Sequence, residues 1–148
     1  MKPITVLVTG ATGRQGGSVL RHLLRRGHRV RALTRRPAHP AATYLERLGA
    51  EVVQADFDRP ASLEVAARGA DAAFVMTTPF EAGPEAEVRQ GCAALDAVAA
   101  AGVRHVVLAS VAGASRLTGI PHFDSKHQIE RHLRGLGIAY TIVAPVFF

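Results

Sequence analysis

A chain of 148 residues sits near the commonest size of one domain, and 48% hydrophobic with 20% charged content excludes the disordered and fibrous classes. The net charge of +6 comes from 16 arginines and two lysines scattered along a chain without asparagine; this resembles GC-rich coding, and with no basic helix or aromatic-interleaved stripe nucleic acid is not an expected partner. No apolar run reaches the roughly 20 residues of a membrane span, and a single cysteine, Cys92, excludes an internal disulfide and fits a reducing cytoplasm.

The first strand is predicted over Ile4–Thr9, so close behind Met1-Lys2-Pro3 that no signal peptide is expected. Gly10-Ala11-Thr12-Gly13-Arg14-Gln15-Gly16 follows, then a helix with Val19, Leu20, Leu23 and Leu24 on one stripe, ending at Gly27. A second strand is predicted over His28–Thr34, a weaker helix over Ala41–Leu48, a third strand over Glu51–Ala55 and another weak helix over Ala61–Ala67. Ala72–Met76 reads as the fourth strand, and the next helix carries Val88, Cys92, Leu95 and Val98 before Gly102. The fifth strand is expected over His105–Ala109, a helix marked by Ile129, Leu133 and Leu136 before Gly137, and the sixth strand over Ala139–Val143. Several strands are apolar almost throughout, as parallel strands covered on both faces are. The alternation predicts an α/β fold, a Rossmann-type doubly wound parallel sheet of about six strands in three α/β/α layers with right-handed crossovers. The chain reaches Val146-Phe147-Phe148 straight after the sixth strand, which suits either an edge strand or, as preferred here, a piece of a longer protein.

The first loop carries the strongest chemistry. Gly10-x-x-Gly13-x-x-Gly16 leaves a strand and opens an amphipathic helix, the context that a dinucleotide motif requires. Gly10 allows a sharp turn, Gly13 lets backbone approach a pyrophosphate, and Gly16 allows the helix to pack tightly on the sheet. The helix start then directs free N–H groups and partial positive charge at the phosphates. Thr9 and Thr12 offer hydroxyls, Arg14 can reach a phosphate, and Gln15 belongs to the same loop. The alternative is a glycine-rich turn without a ligand.

An NAD site usually places an acid at the end of the second strand, on the ribose 2′-hydroxyl. Here that stretch reads Leu33-Thr34-Arg35-Arg36-Pro37, with no acid. An arginine pairs with a 2′-phosphate through charge-assisted hydrogen bonds, so Arg35, with Arg36 beside it, points to NADP(H). The alternative is two more surface arginines in an arginine-rich chain.

Together with the first loop, Thr34-Arg35-Arg36-Pro37, Ala55-Asp56-Phe57-Asp58, Phe74-Val75-Met76-Thr77-Thr78-Pro79, Ala101-Gly102-Val103-Arg104-His105-Val106-Val107, His122-Phe123-Asp124-Ser125-Lys126 and Gly137-Ile138-Ala139-Tyr140-Thr141-Ile142 resemble, in order, the NmrA-like family of atypical short-chain dehydrogenases/reductases. That family includes isoflavone-reductase-like enzymes, NADPH-dependent quinone reductases and redox-sensing regulators. The resemblance implies that residues 1–148 form an NAD(P)-binding domain without a C-terminal substrate-binding region. It implies that Asp56 and Phe57 border the adenine, unless they are an ordinary strand-ending turn. Thr77, Thr78 and Pro79 would lie along the nicotinamide ribose and pyrophosphate, unless chosen only for turn chemistry. Lys126 would hold the nicotinamide ribose, as the lysine of a Tyr-x-x-x-Lys pair does, and is the candidate catalytic residue; the alternative is an exposed helical lysine. His122 stands where that pair has its tyrosine. Ser110 falls near a family serine position but equally suits close packing, and Ala144-Pro145 replaces the family's common Arg-Pro.

Two functions follow as expectations. One is an NADPH-dependent oxidoreductase acting on a quinone or similar small carbonyl or enone, since hydride chemistry belongs to the cofactor. The other is a non-catalytic NADP(H) sensor acting through a regulatory protein partner, which the missing tyrosine favours. No metal is expected in either.

Overall fold

Among the described residues proline opens four of the five α-helices and glycine follows their ends, the asymmetry expected where a missing N–H costs nothing and a left-handed residue terminates the turn. In the computed structural model, which describes residues 1–146, the elements run β1 (Thr5–Val8), α1 (Arg14–Arg25), β2 (Arg29–Thr34), α2 (Pro40–Arg47), β3 (Glu51–Gln54) and α3 (Pro60–Ala67). They continue β4 (Ala72–Val75), α4 (Pro84–Ala100), β5 (His105–Ala109), a 3-10 turn over Ala114–Arg116, α5 (Pro121–Gly135) and β6 (Ala139–Val143). All six predicted strands are present, within two residues at any end. Phe147 and Phe148 lie outside the described residues.

The strands form one parallel sheet in the order β3-β2-β1-β4-β5-β6. This is the Rossmann-like α/β arrangement expected from the sequence. Val8 pairs with Ala32 on one side and Phe74 on the other, so β1, β2 and β4 end level and their following loops emerge at one edge. Chain direction through the sheet reverses between β1 and β4, which opens a crevice at that edge.

Alternation along the strands divides the apolar residues into two cores. Val6 and Val8 join Val30, Phe74, Leu20 of α1 and Leu45 of α2 on one face. Leu7, Val75, Val106 and Leu108 join Leu63 of α3, Leu95 of α4 and Ile129 and Leu133 of α5 on the other. Truncating a completely buried leucine such as Leu95 to alanine would cost about 2–5 kcal/mol.

The fourth helix differs in detail from its sequence pattern. Val88 and Cys92 are only half-buried, whereas Ala86, Glu87, Gly91, Ala94, Leu95, Ala97 and Val98 are buried. The helix is packed between α3 and α5 as well as on the sheet, so small residues face its neighbours. A Cβ on Gly91 would lie 2.6 Å from Ile129 Cδ1, and the glycine lets α5 come close. At the sheet edge β6 is mostly exposed. Among the described residues no helix is long and apolar enough to cross a membrane.

Candidate functional site

The first loop is built around two close approaches. Gly10 adopts φ +60°, and a Cβ there would lie 2.4 Å from Met76 Sδ. At Gly16 a Cβ would lie 2.3 Å from the Gly10 carbonyl oxygen, a backbone atom that cannot step aside. Only glycine lets α1 start this tightly against the end of β1. Gly13 is the N-cap of α1 and donates its N–H to the Gly10 carbonyl at 2.9 Å. No side chain caps α1 and no acid stands in its first turn, so the positive end of the helix is left available to an anion. Thr12 and Arg14 are exposed there, and Gln15 is half-buried.

A cleft runs from this loop along the ends of β1 to β4. Gly10 and Thr12 line it beside Leu33, Thr34, Arg35 and Arg36 from the end of β2. Ala55, Asp56 and Phe57 come from the end of β3, and Met76, Thr77 and Thr78 from the end of β4. Glu81 and Gln90 close it from the β4–α4 crossover and α4. Of the residues expected at the site, Gly10, Thr12, Arg35, Arg36, Asp56, Phe57, Thr77 and Thr78 are thus brought to one cleft. Gly13, Arg14 and Gln15 form the helix start beside it, and Gly16 lies buried beneath. Pro79 lies outside the lining, its carbonyl accepting the Gly83 N–H at 2.9 Å.

Polar groups in this cleft have uneven freedom. Arg35 donates from Nη2 to Glu81 Oε2 at 2.9 Å, with both side chains more than half exposed. Asp56 Oδ1 accepts the Asp58 N–H at 3.0 Å, so its carboxylate also shapes its own turn. Gln90 donates to both oxygens of Asp58, joining α4 to the β3–α3 turn.

At the other end, beyond Thr77, the groups are committed to one another. Glu87 is completely buried in α4 and accepts the Thr77 hydroxyl at 2.8 Å and the Ser125 hydroxyl at 2.5 Å. The Lys126 ammonium lies 2.7 Å from Glu87 Oε1, 2.7 Å from the Thr77 carbonyl oxygen and 3.0 Å from Thr77 Oγ1. Three partners match the three donors of an ammonium. Lys126, 13% exposed, ties β4, α4 and α5 together through these contacts. Glu87 is the residue that sequence reasoning missed. Its signal was an acid one turn before Gly91 and two before Ala94, on the inward face of α4.

Three further polar residues have contacts within the chain. Thr9 does not offer its hydroxyl to a ligand: it is 1% exposed, donates to the Met76 carbonyl at 3.1 Å and accepts the Met76 N–H at 2.8 Å. Such pairing holds β1 and β4 together where the sheet opens. Ser110 donates its hydroxyl to the buried Glu130 carboxylate and its N–H to the Val143 carbonyl. His122 stands in the first turn of α5 with its ring edge-on to Phe123 at 4.8 Å and 6.2 Å from Phe80.

Residues 2–148 match the NmrA-like family. The chain belongs to that family. An NmrA-like family domain-containing oxidoreductase of Aspergillus sp. (strain MF297-2) is 38% identical across 97% of this chain and 45% of its own length. The chain thus spans about half the length of the curated NmrA-like relatives it matches. Among solved structures, NmrA, a negative transcriptional regulator, in complex with NADP superposes with a TM-score of 0.85 at 27% identity, over 97% of this chain and 45% of that one. The NADPH-dependent quinone oxidoreductase of Escherichia coli in complex with NADPH gives 0.83 at 28% identity, over 94% of this chain and 48% of that one.

Proposed function

We propose that this NmrA-like chain binds NADP(H) in the cleft and serves an NADPH-dependent oxidoreductase that reduces a quinone or a similar small carbonyl or enone. The carrying observation is the uncapped, acid-free start of α1 beside a cleft whose β2 rim bears Arg35 and Arg36. The N–H groups of α1 hold the pyrophosphate, and the glycines keep side chains out of its way. Arg35 and Arg36 face the 2′-phosphate, Phe57 and Asp56 border the adenine, and Thr77 and Thr78 line the path to the nicotinamide. The bound cofactor supplies hydride, so the chain needs to orient it rather than provide a nucleophile. A quinone can take its proton from solvent, which suits the replacement of tyrosine by His122. In this reading residues 1–148 are the dinucleotide-binding domain of a cytoplasmic protein, and residues outside them shape the substrate pocket. The bound NADP in NmrA and NADPH in the quinone oxidoreductase support the cofactor.

One observation favours a second reading, an NADP(H)-sensing regulator that acts through a protein partner. The candidate proton donors beyond Thr77 are committed internally, Lys126 to Glu87 and Ser110 to Glu130. NADPH titration followed by NADPH oxidation over a quinone panel, both on the longest reading frame that contains these residues, separates the two. Binding with turnover supports the oxidoreductase; tight binding without turnover on any quinone supports the sensor; no binding overturns both.

A further inference from the structure

The end of β2 carries two arginines and no acid, yet an acid reaches that rim from elsewhere in the chain. Glu81, 46 residues after Arg35, brings Oε2 to 2.9 Å from Arg35 Nη2. Both residues line the cleft shared by Gly10 and Asp56. At 56% and 61% exposure neither side chain is anchored by burial, so either partner can be exchanged at little cost.

We propose that Glu81 is a specificity-determining latch on Arg35, which lowers the preference of the cleft for a 2′-phosphorylated dinucleotide over its unphosphorylated counterpart. The proposal rests on the reading of this cleft as a dinucleotide site. A guanidinium presents five N–H donors in a planar fork, and Glu81 takes one of them. A 2′-phosphate that pairs with Arg35 has two routes. It displaces Glu81 and breaks the ion pair, or it occupies the remaining donors and brings a second anion to a cation that already holds one. Both routes penalise the phosphorylated ligand. A dinucleotide with a free 2′-hydroxyl meets neither penalty. An NAD site takes its ribose-binding acid from the second strand; here the crossover after β4 delivers a carboxylate to the same rim. The arginines alone therefore overstate the NADP(H) preference of the chain.

The test is titration of NADPH and NADH against the chain and its Glu81→Gln variant, which keeps the shape and removes the charge. The expected result is an NADPH Kd lowered about three- to tenfold, with the NADH Kd unchanged or raised. In an Arg35→Ala background the same Glu81→Gln change is expected to move the NADPH Kd by less than about twofold, because the latch has lost its partner. An unchanged ratio of NADPH to NADH affinity in Glu81→Gln overturns the latch, as does a gain that persists without Arg35. A wild-type chain that binds neither dinucleotide removes the site reading and the latch together. NADPH binding that Glu81→Gln leaves unaltered removes the latch alone.

Discussion

The two ends of the cleft are built on opposite terms. Around Gly10, Arg35 and Asp56, the side chains are exposed or half-exposed and their contacts are single and replaceable. Around Thr77, the groups are multiply bonded and mutually neutralising, with Glu87 completely buried and Lys126 partly so. A buried ion pair contributes to stability only while both partners remain, because either one alone is an uncompensated charge. An exposed pair contributes little and can be traded for a ligand. The first end is thus open to recognition, while the second is a structural knot that ties β4, α4 and α5 together.

Removing the negative member of the knot is the strongest way to break this contrast. Glu87→Gln leaves the Lys126 ammonium buried without a counter-charge and is expected to cost about 3–5 kcal/mol in denaturant unfolding. A Glu87→Met, Lys126→Met double variant is expected to recover a substantial part of that loss. Should Glu87→Gln unfold at the wild-type midpoint, the knot is no structural element. Gly16→Ala comes next, since its Cβ meets the Gly10 carbonyl: a loss of about 1–3 kcal/mol, together with loss of NADPH binding by isothermal titration. At the open end Arg35→Ala is expected to move stability by less than about 0.5 kcal/mol while weakening NADPH about 10- to 100-fold and leaving NADH nearly unchanged. Equal losses for both dinucleotides would remove Arg35 from the 2′-phosphate.

The smallest effect serves as a control at the opposite edge of the sheet. Asp71 Oδ2 accepts the Thr5 N–H at 2.9 Å and Oδ1 the Arg104 guanidinium at 2.7 Å. The Thr5 N–H, then Arg104, hold its carboxyl below the usual aspartate range. A depressed folded value means that the stabilisation is present above the unfolded value of about 3.9 and is lost as pH falls through the folded one. Asp71→Asn should therefore lower Tm at neutral pH, converge with wild type on acidification below about pH 4, and leave NADPH binding intact. A Tm difference that persists at pH 2 would assign the effect to shape rather than charge.

Local pattern was enough to read much of this molecule. Six apolar strand segments, the helices between them and the Gly10–Gly16 loop were legible because each is recorded in consecutive residues, by period, by proline and by glycine. The missing acid after β2 was equally legible, being a matter of which residues follow Leu33. What each polar group does with its hydrogen bonds was not. Thr9 faces Met76 across 67 residues of chain, Lys126 meets Thr77 across 49, and Ser125 meets Glu87 across 38. No window of sequence contains both partners, and an exposed lysine and a buried one have the same local signature. Only the sheet order, which sets β4 beside β1, together with the packing of α4 against α5, decides that Lys126 and Glu87 neutralise each other while Arg35 and Glu81 meet in the open.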